Sequence, residues 1–420
     1  MGKNIGFIST RFAGTDGVSL EAAKWAQLLW DRKHVSYWFA GELDRESSSS
    51  MLVPEAFFDH EEVRWINEHV FGVKHRTSET SGHIHAMRNY LKGRLYEFIE
   101  KFDIDIIIPQ NVLSIPMHIP LGLAVTELIA ETGIPTIAHH HDFHWERLRF
   151  SLNAAQDYLQ MAFPPKLPSI QHVVISSLAQ EELALRTGIS ATVIPNVLDF
   201  ENEPQADIEY SKNFRQEIGL AEGDVLILQP TRIVQRKGIE HAIELVSQLG
   251  DPKYKLVISH EAGDEGYDYA TFVEDHARDH NVDLKLVSCH IDETRGVNEK
   301  GEQLYTLWDV YPNADFVTYT SLYEGFGNAF LEAAYFRKPI LINRYEVFVR
   351  DIEPQGFDLI VMDGFITDRV VKQVREVLES PERRDGMVNR NYEVATRHYS
   401  YSVLRKRLAF LIANFFGIEI

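Results

Sequence analysis

The chain of 420 residues exceeds what one hydrophobic core usually serves, so two domains are expected. Its 45% hydrophobic and 25% charged residues are ordinary for a globular protein. A formal net charge of −20 repels phosphate backbones and anionic headgroups, which argues against nucleic acid or an acidic membrane as partner.

The start, MGKNIGFIST, lacks the apolar core of a signal peptide. The nearest approach to a membrane span, Leu408 to Ile418, is too short and carries Asn414. The lone cysteine, Cys289, makes no internal disulfide; a reducing, cytoplasmic location is expected.

In chain order, Asn4–Ser9 reads as a strand and Gly17–Asp31 as a helix. Asp105–Ile108, Thr136–Ala138 and His172–Ile175 are short apolar runs suited to strands buried on both faces, and Ala86–Phe102 carries helical spacing. This alternation predicts a parallel sheet wrapped by helices. The doubled carboxylate Asp103 and Asp105 precedes a strand and reads as a solvated loop.

The polar stretch Asn196–Arg215 reads as a linker. Alternation then resumes with strands at Val225–Gln229, Lys255–Ser259, Lys285–Ser288, Asp315–Tyr319 and Pro339–Asn343, and an amphipathic helix at Ile239–Leu249. The boundaries predicted are 1–197, 198–396, and a terminal helix over 397–420. Two tandem sheets of this kind are expected to bind ligands beyond the carboxyl ends of their strands.

Two segments carry chemistry. In Ser321–Pro339 (SLYEGFGNAFLEAAYFRKP), a strand feeds a turn with Gly325 and Gly327 and then a helix starting near Asn328. Glycines allow close backbone approach, and a helix N-terminus offers N–H groups and a positive dipole end to an anion. Glu324 and Glu332 flank this turn, and a carboxylate accepts sugar hydroxyls well. In Pro230–Ile243 (PTRIVQRKGIEHAI), Arg232, Arg236 and Lys237 follow a buried strand, a local reversal of sign in an acidic chain. Cations there suit a departing diphosphate. Arg236 by itself reads as a solvated surface charge.

The run Glu324-Gly-Phe-Gly to Glu332, with Arg232 and Lys237 upstream, resembles the retaining family-4 glycosyltransferases of the GT-B fold. The resemblance implies an α/β protein with two Rossmann-like domains facing each other across a cleft. It also implies a donor site of Arg232, Lys237, Gly325, Phe326, Gly327, Asn328 and Glu332, with Glu324 catalytic. In the first domain the resemblance places the family's glycine at Gly17 and its strand-ending histidine at His141, a second catalytic contact to the transferred sugar. Asp16 and Asp142 are the acceptor-site candidates.

The His139–His144 cluster could suggest a metal, but consecutive strand residues face opposite ways, so none is expected. The expected activity is hexosyl transfer from a UDP-, GDP- or ADP-sugar to a small soluble acceptor, with no added cofactor. Partners are expected to be small molecules, with no integral membrane contact and oligomerisation open. A polysaccharide or lipid-linked acceptor, or a GT-B phosphorylase or synthase, is the alternative.

Overall fold

The computed structural model describes residues 2–14, 16–205, 207–262 and 267–417. The chain divides into two compact units, Met1–Pro195 with Leu404–Ile420, and Asn196–Val403. Among the described residues no helix is long and apolar enough to cross a membrane.

The first unit holds a seven-stranded parallel sheet. Its strands are β1 (Asn4–Ile8), β2 (Val35–Ala40), β3 (Ser50–Leu52), β4 (Ile106–Pro109), β5 (Thr136–His140), β6 (Ile170–Val174) and β7 (Ala191–Val193). Their spatial order is β3-β2-β1-β4-β5-β6-β7. Order reverses between β1 and β4, which pair in register from Ile5 with Ile106. Helices α1 (Gly17–Trp30), α2 (Glu61–Glu68), α3 (Ser78–Lys101), α4 (Ile119–Thr132), α5 (Gln156–Ala162) and α6 (Ser177–Thr187) accompany it. Because both sheet faces are covered, β4 is buried along its whole length and α4 buries ten of its residues.

Asp105 departs from the solvated-loop reading: its carboxylate takes the Asn4 N–H at 2.9 Å and the Lys3 ammonium at 3.1 Å, tying β4 to the start of β1.

The second unit repeats the plan in six parallel strands. These are β8 (Val225–Gln229), β9 (Tyr254–Ile258), β10 (Asp283–Leu286), β11 (Phe316–Tyr319), β12 (Ile340–Asn343) and β13 (Ile360–Met362), in the order β10-β9-β8-β11-β12-β13. Here the order reverses between β8 and β11. The helices used below are α7 (Ile239–Leu249), α8 (Asn328–Tyr335) and α9 (Pro381–Tyr399). The amphipathic pattern of α7 is realised: Ile239, Ala242, Ile243, Val246 and Leu249 are all buried.

Two boundaries differ from the sequence reading. The stretch 196–215 is anchored rather than a free linker, because Leu198, Phe200 and Phe214 are buried and Phe200 packs on Tyr335 and Tyr392. The terminal segment is two helices, since α9 ends at Tyr399, Ser400 is extended, and α10 (Tyr401–Phe416) follows. Residues from Leu404 on belong to the first unit, where Gln171 donates to the Leu411 carbonyl at 2.8 Å.

Candidate active site

Parallel α/β sheets leave a crevice at the carboxyl ends of the strands where strand order reverses. Each unit places one polar cluster at that point.

In the second unit the chain leaving β8 runs through Lys237 to Gly238, whose φ of +56° is a left-handed conformation. A Cβ there would lie 2.6 Å from the Thr320 carbonyl oxygen, so this loop presses on the chain leaving β11. The Leu322 N–H donates to the Arg236 carbonyl at 2.8 Å and the Thr320 hydroxyl to the Lys237 carbonyl at 3.1 Å. Those bonds aim two cations at one carboxylate. Glu324, 9% exposed, is bound by the Lys237 ammonium and by the Arg236 guanidinium at 3.2 Å.

Burial pushes the Glu324 carboxyl up, but the charges of Lys237 and Arg236 outweigh it and leave it below the ordinary range. Lys237 is also lowered, first by burial and then by Arg236 and Arg232 against the pull of Glu324. Burial is the first cause of the drop in Lys237, so the charge balance is read from the contacts: two cations, Lys237 and Arg236, meet one carboxylate, and such a cluster is suited to holding an anion. Burial, Arg232 and Lys237 likewise hold His260, just past β9, at about 4.

Gly327, at φ +127°, leads into α8, and a Cβ there would meet the Tyr345 hydroxyl at 2.5 Å. That hydroxyl donates to the Phe326 carbonyl at 2.7 Å. Helix α8 starts without a side-chain cap at Gly327. Exposed Asn328 accepts from Asn196 at 2.7 Å, and Glu332 accepts the Tyr311 hydroxyl at 2.8 Å.

Lys237, Glu324, Gly325, Gly327 and Asn328 therefore come together, and Arg232 lies exposed in the same loop as Lys237. Two readings are corrected. Arg236 is a partner of Glu324 and not a solvated charge. The Phe326 ring is buried against Tyr399, 5.5 Å between centroids, so it anchors the turn and offers no side-chain surface to a donor.

In the first unit β1 and β4 end beside Gln110 and Asn111. Asn111 sits at φ +59° and its side chain bridges two neighbours, accepting the His141 N–H at 2.7 Å and donating to Asp142 at 3.0 Å. The His141 Nε2 meets Gln110 Oε1 at 3.1 Å. Asp16 caps α1 by accepting the Val18 and Ser19 N–H groups, and exposed Gly17 is the helix's first residue. Burial is the main cause holding His141 at about 4, with Asp16 raising and Lys24 lowering it, so Asp16 and Lys24 are electrostatic neighbours of the ring.

Asp142 is already engaged within the first unit: Arg147 grips it through Nε at 2.7 Å and through Nη2, and Asn111 donates to its other oxygen.

The histidines split between faces. His139 stacks on Trp25 and contacts His141, each at 4.3 Å between centroids, while His140 turns away to His172 at 2.9 Å. Among the described residues no group of three or more His, Cys, Asp or Glu is placed to hold a metal. Gln110 and Asn111 were missed by sequence reasoning. The signal was the pair of polar residues directly after the apolar run Ile106–Pro109.

Residues 211–394 match the family model described as glycosyl transferases group 1. The chain is 33% identical over 377 residues to a mannosylglucosylglycerate synthase of Petrotoga mobilis, covering 85% of this chain and 86% of that one. A mannosylglucosylglycerate synthase of Thermotoga maritima is 32% identical, with 96% and 98% covered. Among solved structures, a sucrose-phosphate synthase of Thermosynechococcus elongatus superposes with a TM-score of 0.66 over 99% of both chains at 13% identity, a likeness of fold. The two Rossmann-like units form the GT-B fold, and the chain belongs to the group 1 glycosyl transferases, in the same family as these mannosylglucosylglycerate synthases.

Proposed function

We propose that this protein transfers a hexosyl group, a mannosyl unit in the first instance, from a nucleotide-diphosphate sugar to a hydroxyl of a small soluble sugar acid of the glucosylglycerate kind. The observation that carries the reading is the surplus positive charge at the β8/β11 switch point, where Lys237 and Arg236 share a single buried carboxylate. As the glycosidic bond breaks, negative charge builds on the departing diphosphate, and preorganised cations stabilise that charge more than the ground state. Arg232 and the uncapped start of α8 add to the same field.

Glu324, held ionised, orients the sugar hydroxyls of the donor. Asp16, Gly17 and His141 in the first unit serve the sugar and acceptor hydroxyls. Transfer proceeds with retention: the leaving phosphate oxygen takes the acceptor's proton while the hydroxyl oxygen attacks the anomeric carbon from the face the diphosphate leaves. The products are the glycoside and the nucleoside diphosphate.

The test is incubation with mannosyl and glucosyl esters of UDP, GDP and ADP, each with glucosylglycerate, followed by assay of nucleoside diphosphate and of the product's anomeric configuration. A mannosyl-dependent, acceptor-dependent release with retained configuration is expected. Release that needs inorganic phosphate, or an inverted product, would overturn the reading.

A further inference from the structure

Gln110 is 1% exposed, and its side-chain amide nitrogen is buried with no hydrogen-bond partner among the described residues. Among the described residues, the one hydrogen bond its side chain makes is to His141. A buried amide left half-satisfied costs on the order of 1–3 kcal/mol, and methionine would fill similar space without that cost. Stability alone therefore does not explain a glutamine here. Its carbonyl oxygen can only accept, so the His141 Nε2 facing it at 3.1 Å carries the proton. A neutral imidazole has one N–H, which leaves Nδ1 with a lone pair, and Nδ1 has no partner among the described residues.

We infer that Gln110 is a positioning residue that fixes the Nε2–H tautomer of His141, so that the ring presents Nδ1 as a hydrogen-bond acceptor to a substrate hydroxyl. The inference rests on the proposed sugar transfer and adds the chemistry of the contact: a site selective for a hydroxyl donor, unfavourable to a phosphate or carboxylate oxygen. Three further contacts hold the ring in place. The Asn111 amide oxygen accepts the His141 backbone N–H, the His139 ring touches the His141 ring at a tilt, and Trp25 backs His139. Among the described residues, the charged or titratable groups facing the ring are Asp16, the cap of α1, Lys24 of α1 and His139 of β5. Burial keeps His139 and His141 neutral near pH 7, so the tautomer is a single defined state there.

The experiment uses the full chain labelled with 15N-histidine, with the His141 signals assigned by their loss in His141→Ala. Long-range proton–nitrogen spectra at pH 7 are expected to show Nδ1 as the unprotonated nitrogen and Nε2 as the protonated one. Gln110→Glu places a carboxylate against Nε2 and should raise the His141 pKa by roughly one unit or more, read by the same spectra and as an upward shift of the acid limb of kcat. Gln110→Met should lower kcat roughly tenfold, the worth of one hydrogen bond, with KM nearly unchanged and the melting temperature equal or higher.

A protonated Nδ1 in the wild type would overturn the inference, as would a Gln110→Glu variant titrating like the wild type. A Gln110→Met variant that loses stability but keeps kcat would assign Gln110 a merely structural role. If no nucleotide sugar is turned over, the proposed function fails while the tautomer and its shift in Gln110→Glu still decide the role of Gln110.

Discussion

Replacing Lys237 by alanine separates the two jobs assigned to it. Its side chain is 11% exposed and that of Glu324 10%, so the substitution leaves a buried carboxylate with Arg236 as its remaining cation. Two charges 3.2 Å apart interact by about 5 kcal/mol at an effective dielectric of ~20. Arg236 is one-third exposed, and solvent screening reduces that help to about 1 kcal/mol. Breaking a buried pair typically costs about 3–5 kcal/mol, so a net loss of about 2–4 kcal/mol is expected in Lys237→Ala. Lys237→Ala/Glu324→Gln removes the stranded charge and should recover most of that stability. Turnover should not recover. Loss of one preorganised charge at the leaving group lowers kcat by roughly 10²–10³-fold in Lys237→Ala, and the double variant, which also loses the Glu324 carboxylate from the sugar, stays at least as low. Melting temperature, and nucleoside diphosphate release under saturating donor, read the two effects separately. A single variant that turns over within tenfold of wild type, or a double variant that regains full kcat, would refute the assignment of Lys237 to the diphosphate.

Gly238→Ala should destabilise by about 1–3 kcal/mol, since it combines a left-handed φ with a Cβ 2.6 Å from a carbonyl oxygen. Chemical denaturation measures this, and a neutral result would show that the β8 and β11 loops are not pressed together. Acid should weaken the first unit sooner than the second. Burial holds His118, His141 and His172 at about 4, and His139 and His140 are also lowered, whereas in the second unit His260 is the one histidine among the described residues held as low as about 4. Folded values below the unfolded 6.5 mean the unfolded state takes up protons first, so stability is intact above pH 6.5 and falls from there towards pH 4. A group shifted from 6.5 to 4 costs about 2 kcal/mol by pH 5. Five of the six tryptophans, all but Trp308, lie in the first unit, so their fluorescence should report an acid transition ahead of the loss of total helical signal.

The repeated strand–helix plan was legible because parallel sheets bury both faces, which writes strands such as Ile106–Pro109 as unbroken apolar runs. Helix α7 was read to the residue because Gly238 and Gly250 bracket it and its apolar face keeps the helical period. Legibility failed where a residue's role is set by distant partners. Arg236 has the local look of a surface charge, and only Glu324, 88 positions later in the chain, makes it part of the site. Phe326 sits inside a ligand-type turn, yet its ring is claimed by Tyr399. Asp142 follows the histidine run, and its partners Arg147 and Asn111, one on each oxygen, could not be read from that run. Gln110 is the extreme case, since its meaning lies in which nitrogen of His141 it faces.

The two switch points differ in charge, and that difference bears on the acceptor. In the second unit Lys237 and Arg236 share one carboxylate, leaving positive charge over, as the proposed diphosphate leaving group would require. In the first unit the cations Arg11, Lys24 and Arg147 are each matched: Arg11 lies 3.5 Å from Asp16, Lys24 2.9 Å from Glu21, and Arg147 on Asp142. His141 is neutral and Asp16 anionic, so the groups on offer are acceptors, suited to hydroxyls. A phosphate group brought there would face Asp16 with no unmatched cation from these pairs to receive it, and like charges at such range repel by about 1 kcal/mol or more even when well solvated. The protein should therefore use an unphosphorylated sugar acid at least about fivefold better, in kcat/KM, than the same acceptor bearing a phosphate. Asp16→Asn should narrow the gap by relieving the repulsion. Equal use of both acceptors, or a gap unmoved in Asp16→Asn, would place the acceptor's charged end away from this cluster.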